Sequence, residues 1–281
     1  MRVARTRPPH RIHDTNLIRV SPIATIVKDL LFALGDAVAR AVASFGGDPG
    51  AVAGTGASGA PTQAIDKVAE DAVLRHLDET GSDLNVLSEE AGFVDRGGER
   101  TLVVDPVDGT YNAVRGIPFY ATSLAVGNDR LSTVTHALVR HLPHGDTYYA
   151  EMGGGAFRNG GRVRTRPFEE KDSFFSVYLG HMARPESYDV ARAARRVRSL
   201  GSAALDLCAV ACGATDLYYM SAREEARLRV IDIAAGVLLV REAGGFVESP
   251  EDGRELDLPF TLKARTNLVA VGDRKALAVV P

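Results

Sequence analysis

The stretch LVVDPVDGTYNAVRG, residues 102–116, sets two acids, Asp105 and Asp108, on either side of a Pro-Val pair where a β-branched run gives out. A carboxylate at the C-terminal end of a strand stands at the sheet edge where open α/β folds bind their ligands. Two carboxylates three residues apart in a Pro-Gly turn can face one point. There they repel and raise each other's pKa unless something positive lies between them. A divalent cation meets that need. With no His or Cys nearby, oxygen-only ligation selects a hard ion such as Mg²⁺, and Glu89 and Asp232, each at the end of an apolar element, are the natural further ligands. The alternative is that the two aspartates cap a turn, as Asp often does.

Working outward, the chain reads as mixed α/β without internal repeats. Ile23, Ile26, Val27, Leu30, Leu31, Leu34, Val38, Ala41 and Val42 recur at three- and four-residue steps, one face of a long amphipathic helix. After the loop GTGASGAP, the spacing of Ile65, Val68, Ala69, Ala72, Val73 and Leu77 predicts a second helix. Thr62 is placed to cap it, and Asp66 lies in its first turn. Residues 84–87, 101–105 and 121–127 read as buried strands, so that acids gather at strand ends. Further on, Asn159-Gly160 suits a tight hairpin reversal. The glycines at 153–155 have no G-x-G-x-x-G spacing and open no helix, which argues against a dinucleotide fold. GSAALDLCAVACGATD reads as a small-residue helix, and VIDIAAGVLLVREAGG as a buried one with Asp232 as its N-cap.

Composition narrows the function classes. With 281 residues, 45% hydrophobic, the chain can bury a large core, and a formal charge of -3 supplies no general field for nucleic acid. No apolar run reaches the ~18 residues of a membrane helix. Cys208 and Cys212 form neither a disulfide framework nor a four-ligand zinc site and read as core thiols, which points to a cytoplasmic protein. The first eleven residues carry four arginines without the apolar segment of an export signal; a solvated tail is the expectation, a nucleic-acid arm the alternative. His141-Leu-Pro-His144-Gly-Asp146 reads as a loop between strands rather than a transition-metal site. No G-x-S-x-G elbow supports a serine hydrolase around Ser202 and Asp206.

DPVDGTYN at 105–112, LSEEAG at 87–92, and GSAALDLCAVACGATDLYY followed by VIDIAAGVLLVREAGG together resemble, in order and spacing, the signatures of the inositol monophosphatase superfamily. PTQAIDKVAED and RVIDIAAG are most similar to its archaeal branch, whose members often act on both inositol monophosphate and fructose 1,6-bisphosphate. The resemblance implies a layered α-β-α-β-α sandwich of the sugar-phosphatase type, an α/β fold. Residues 1–21 would be an extension and residues 22–281 the phosphatase unit, with 22–172 carrying the metal-binding turn and 173–281 forming a C-terminal α/β half. It further implies one Mg²⁺ on Glu89, Asp105 and the Val107 carbonyl, a second on Asp105, Asp108 and Asp232, and in some members a third, looser ion near Glu89. Asp66 and Thr110 would orient and deprotonate the attacking water. A homodimer is common in the family.

For the substrate, the resemblance implies that Gly109 and Thr110 offer backbone N–H groups to the phosphate, that Gly201 and Ser202 lie beside the sugar or inositol ring, and that Arg198 matches a recurrent arginine. Within RAARRVR, Arg195 or Arg196 could hold a second phosphate, or the run could be a solvated helix face. Animal members place a glutamate after the Tyr-Tyr pair, where this chain has Met220, which weakens the inositol assignment; Arg223 could bind a phosphate or sugar oxygen, or pair with Glu224 and Glu225. The expected activity is Mg²⁺-dependent hydrolysis of a small-molecule phosphate monoester, fructose 1,6-bisphosphate or inositol 1-phosphate. The alternatives are a phosphatase for 3′-phosphoadenosine 5′-phosphate or NADP, and a non-catalytic regulatory module on the same fold.

Overall fold

The computed structural model describes residues 22–57 and 59–280, so the basic N-terminal stretch lies outside the described residues. The chain opens with helix α1 (Pro22–Ser44), a short hairpin of β1 (Val52–Thr55) and β2 (Pro61–Gln63), and helix α2 (Ala64–Glu79). Strands β3 (Asn85–Ser88), β4 (Gly92–Val94) and β5 (Thr101–Asp108) follow, then the short helix α3 (Thr110–Val114). Next come β6 (Ala121–Gly127), β7 (His136–His141), β8 (Thr147–Glu151), β9 (Gly155–Arg158) and β10 (Gly161–Val163). The second half holds β11 (Phe174–Val177), α4 (Pro185–Ala193), β12 (Arg196–Arg198), α5 (Ala203–Ala211), β13 (Leu217–Met220), α6 (Val230–Glu242), β14 (Phe246–Glu248) and β15 (Leu268–Val271).

Two sheets alternate with three helical layers. The larger sheet has eight strands in the order β10-β9-β8-β7-β6-β5-β3-β4, antiparallel except where β3 runs parallel to β5. Its central strands β5 and β6 are buried along their whole length, the continuous apolar signature of a sheet covered on both faces. Helices α1 and α2 cover one face and α6 the other, with α5 packed on α6. The five-stranded sheet, β12-β11-β13-β15-β14, lies against α5 and is covered on its far side by α4. This is the α-β-α-β-α layering expected. On α1, Val27, Leu31, Leu34 and Val38 are buried as the periodicity demands, but Ile26 is 66% exposed and sits off the face assigned to it. Asn159 and Gly160 take positive φ angles of 50° and 80° in the β9–β10 reversal.

Two helix starts differ from expectation. Gln63, not Thr62, is the residue before α2, and the Thr62 hydroxyl donates instead to the Glu90 carboxylate. Helix α6 begins two residues ahead of Asp232, whose Oδ2 accepts the backbone N–H of Arg229 at 2.7 Å. Asp232 thus occupies the third helical position and satisfies the chain from inside the first turn.

The α5–α6 contact depends on Gly236. A Cβ built there would lie 2.5 Å from Leu207 Cδ1 and 2.6 Å from Leu207 Cβ, closer than real contacts allow. Gly236→Val is therefore expected to destabilise the fold by about 3 kcal/mol or more through overpacking. Gly46→Ala, with open space around the added Cβ, should stay within ~0.5 kcal/mol. Chemical denaturation of the two variants checks this, and equal stabilities would refute the close approach.

Candidate active site

The acidic turn is a β-bulge. Asp105 pairs with Ser123 and Asp108 with Ala121, so three steps on β5 oppose two on β6. In a regular strand, residues three apart point to opposite faces. The extra residue cancels the alternation and turns both acids to one side. The strand does not stop at Asp105, as its sequence suggests, but runs on through the bulge to Asp108. Gly109 then takes a φ of 89°, and a Cβ on it would come within 3.1 Å of the carbonyls of Gly201 and Phe119, so the position suits glycine alone.

Each acid has its own support. Asp108 receives the N-terminus of α5: Ala204 N–H donates to Oδ2 at 2.8 Å, Ala203 N–H to Oδ1 at 3.3 Å, and the Ser202 hydroxyl also donates to Oδ2. Burial pushes its carboxyl up to about 7 even so. Among the described residues the Asp105 carboxylate accepts only the Val107 N–H, at 3.1 Å, and burial together with Asp108, Asp232, Glu89 and Asp66 holds its carboxyl well above the usual range. Asp232 is pushed up to about 6 by burial, against the opposing pull of Arg229. Glu89 pairs with the Arg229 guanidinium, and its neighbour Glu90, raised by burial, holds Thr62. The loop carrying both glutamates is pinned from α2 by Glu70, whose Oε1 accepts Ser88 Oγ–H and Ala91 N–H.

Thr110 Oγ lies 2.9 Å from Asp66 Oδ1 and 2.8 Å from the Val107 carbonyl oxygen. A hydroxyl has one proton and cannot donate fully to both. When Asp66 holds a proton the conflict disappears, because Asp66 then donates to Thr110 and Thr110 to Val107. Burial pushes the Asp66 carboxyl up to about 7, with Glu90 and Glu89 adding and Thr110 opposing. A carboxyl raised toward neutral pH and hydrogen-bonded to a hydroxyl is suited to taking up a proton in turnover.

These residues line one cavity of about 300 Å³, which also contains Gly109, Gly201, Ser202, Asp206, Tyr218 and Met220. Ser202 is there, but its hydroxyl is committed to Asp108. Arg198 and Arg223 are not among the lining residues. The Arg198 guanidinium lies 5.5 Å from the Phe174 ring centroid and donates to its neighbour's carbonyl, because β12 is an edge strand that turns it to the surface. Arg223 stands ahead of a short 3₁₀ turn with its backbone N–H on Met182, and its side chain makes no hydrogen bond among the described residues. Arg196 pairs with Asp172 on the outside of the molecule, so neither it nor Arg195 lines the cavity.

Among the described residues, no three His, Cys, Asp or Glu side chains already stand in ligand geometry for one ion. The chemistry of the donor set nevertheless fits a hard divalent cation. It is all oxygen, three of its acids, Asp105, Asp108 and Asp232, are held by burial above the ordinary carboxylate range, and the Arg229 guanidinium pairs with Glu89 beside them. Arg229 itself is under-satisfied, with its buried Nε lacking any partner among the described residues. Sequence reading missed Arg229, Glu70 and Glu90, and considered Asp206 only as part of a serine hydrolase that it rejected. The three-residue step from Arg229 to Asp232 and the four-residue step from Asp66 to Glu70 on α2 were the available signals.

Comparison with known proteins follows the same lines. The profile of the inositol monophosphatase family matches residues 19–279. A fructose-1,6-bisphosphatase/inositol-1-monophosphatase of Thermococcus kodakarensis is 40% identical over 81% of this chain and 84% of its own length. A bifunctional NADP phosphatase/NAD kinase of Methanococcus maripaludis is 34% identical over 76% of this chain and 41% of its own. The solved structure of a Pyrococcus horikoshii protein with similarities to inositol-1 monophosphatase superposes with a TM-score of 0.74 at 29% identity, covering 91% of this chain and 95% of that one.

Proposed function

The chain belongs to the inositol monophosphatase family, and from that premise we propose that it is a Mg²⁺-dependent phosphomonoesterase acting on sugar or inositol phosphates, fructose 1,6-bisphosphate and inositol 1-phosphate first among them. The observation that carries the reading is the bulge that aims Asp105 and Asp108 into the cavity shared with Asp66, Thr110, Glu89 and Asp232. Glu89, Asp105 and the Val107 carbonyl would hold one Mg²⁺, and Asp105, Asp108 and Asp232 a second. A magnesium ion held by these residues would supply charge neutralisation for the phosphoryl oxygens, a more acidic water and stabilisation of the departing alkoxide. Thr110 Oγ orients the attacking water, and Asp66 Oδ1 receives its proton through that hydroxyl. The backbone at Gly109 and Thr110 approaches the phosphate closely because no Cβ stands in the way at Gly109.

A second reading has its own support. The cavity lining also carries aromatic and apolar surface at Tyr178, Met220 and Leu228, a surface that suits a nucleotide better than a bare polyol, and the Methanococcus relative is a bifunctional NADP phosphatase/NAD kinase by name. Comparing kcat/KM for fructose 1,6-bisphosphate, inositol 1-phosphate, NADP and 3′-phosphoadenosine 5′-phosphate in Mg²⁺ ranks these substrates. The expected result is at least tenfold preference for the first two. Preference for NADP would replace the first reading with the second, and no phosphate release from any of the four would leave only a non-catalytic role for the fold.

A further inference from the structure

Asp206 is an acid for which the metal corner has no use. It projects from the first turn of α5, is 3% exposed, and lines the same cavity. Ser176 Oγ–H donates to its Oδ1 at 2.7 Å, and no partner among the described residues takes Oδ2. Asp206 lines the cavity with that one oxygen still unpaired among the described residues. The surroundings are built around it. Ser176 on β11 and Tyr218 on β13 are cross-strand neighbours on the face that meets α5, and Tyr218 lines the cavity beside Asp206. Two residues further along these strands, Tyr178 and Met220 present larger and less polar surface to the same space. Burial pushes the Asp206 carboxyl up to about 8, so near neutral pH it is an uncharged group able to donate and to accept. A buried polar group open to a cavity and half satisfied is costly unless a ligand completes it.

We propose that Asp206 is a specificity-determining residue that hydrogen-bonds a hydroxyl of the substrate's organic part, selecting polyol phosphates over phosphate esters lacking a hydroxyl near the ester carbon. This rests on the phosphomonoesterase reading and deepens it. The placement follows from the helix. Ala203 and Ala204 at the start of α5 donate to Asp108, and Asp206 follows in the same first turn, so one helix end brings both the support of Asp108 and the Asp206 carboxyl to the cavity.

The test compares wild type, Asp206→Leu and Asp206→Asn in Mg²⁺ on inositol 1-phosphate, which carries neighbouring hydroxyls, and on p-nitrophenyl phosphate, which has none. Asp206→Leu should lower kcat/KM for inositol 1-phosphate by about 10- to 100-fold and change that for p-nitrophenyl phosphate by less than about threefold. Asp206→Asn, which keeps a donor and an acceptor in the same place, should retain the polyol preference. Asp206→Ala makes the same comparison without added bulk should the leucine variant fail to fold. An equal fall on both esters, or an unchanged ratio, would show that Asp206 serves the fold alone and overturn the proposal. Wild-type inactivity on both esters would remove the phosphatase reading and the proposal together, a failure distinct from a loss of selectivity.

Discussion

Asp105→Asn is expected to lower phosphate release by a factor of about 10³ or more in kcat/KM, ~4 kcal/mol of transition-state stabilisation. Asp105 is the acid on which the account places both Mg²⁺ ions, and the others crowd it: Asp108, Asp232, Glu89 and Asp66 all raise its pKa. Asparagine preserves the shape and still accepts the Val107 N–H. What it removes is the charge. The same exchange takes a buried, like-charge repulsion out of the corner, so the variant should melt no lower than wild type in chelator. Lost activity with intact stability separates this from a folding defect. A variant retaining more than a tenth of wild-type turnover would show that Asp105 is not where the chemistry is organised.

The second large effect concerns pH. Asp66 and Asp108 are pushed up to about 7, Asp206 to about 8 and Asp232 to about 6, all from 3.8. An acid whose folded pKa lies above its unfolded value binds more protons in the folded state between the two. Its contribution to stability is complete below about pH 4 and is lost as pH rises through the folded value. Metal-free protein should therefore lose stability between pH 5 and 8, by about 3 kcal/mol or more, a fall in Tm of roughly 6–12 °C for a chain of this size. Asp146, Asp172, Asp252 and Asp273, exposed or half-buried, are lowered by their hydrogen bonds and act with the opposite sign, but only below about pH 4. Asp206→Asn should remove the portion of the decline nearest pH 8. If the ionised acids hold Mg²⁺ as proposed, saturating Mg²⁺ should flatten or reverse the slope. A metal-free stability that rises from pH 5 to 8 would contradict the burial of these carboxylates in an unneutralised cluster.

The fold was legible wherever a periodic pattern had one dominant cause. The steps of α1, the unbroken apolar runs of β5 and β6 and the Asn159-Gly160 reversal all express local geometry that the residues impose on themselves. The two aspartates of the turn were legible as a charge problem. How the problem is arranged was not, because the bulge appears only in the register of β5 against β6. The same holds for α6, where Asp232 resembles a cap in sequence, yet the first turn is completed from Arg229, a residue that also pairs with Glu89 some 140 positions away. Arg198 and Arg223 show the converse. Nothing in a run of arginines tells which one an edge strand turns outward, and Arg198 ends on the Phe174 ring instead of the cavity. Asp206 was hidden among small apolar neighbours in the α5 segment, and its place in the cavity follows only from how α5 meets β11 and β13.

The most direct measurement is a calorimetric titration of the chelated protein with Mg²⁺, wild type beside Asp105→Asn, at constant pH. Saturable binding by the wild type, abolished or weakened at least a hundredfold in the variant, is the predicted result. Equal binding by both proteins, or none by the wild type under conditions in which it hydrolyses phosphate esters, would contradict the claim that the bulged acidic corner is the metal centre.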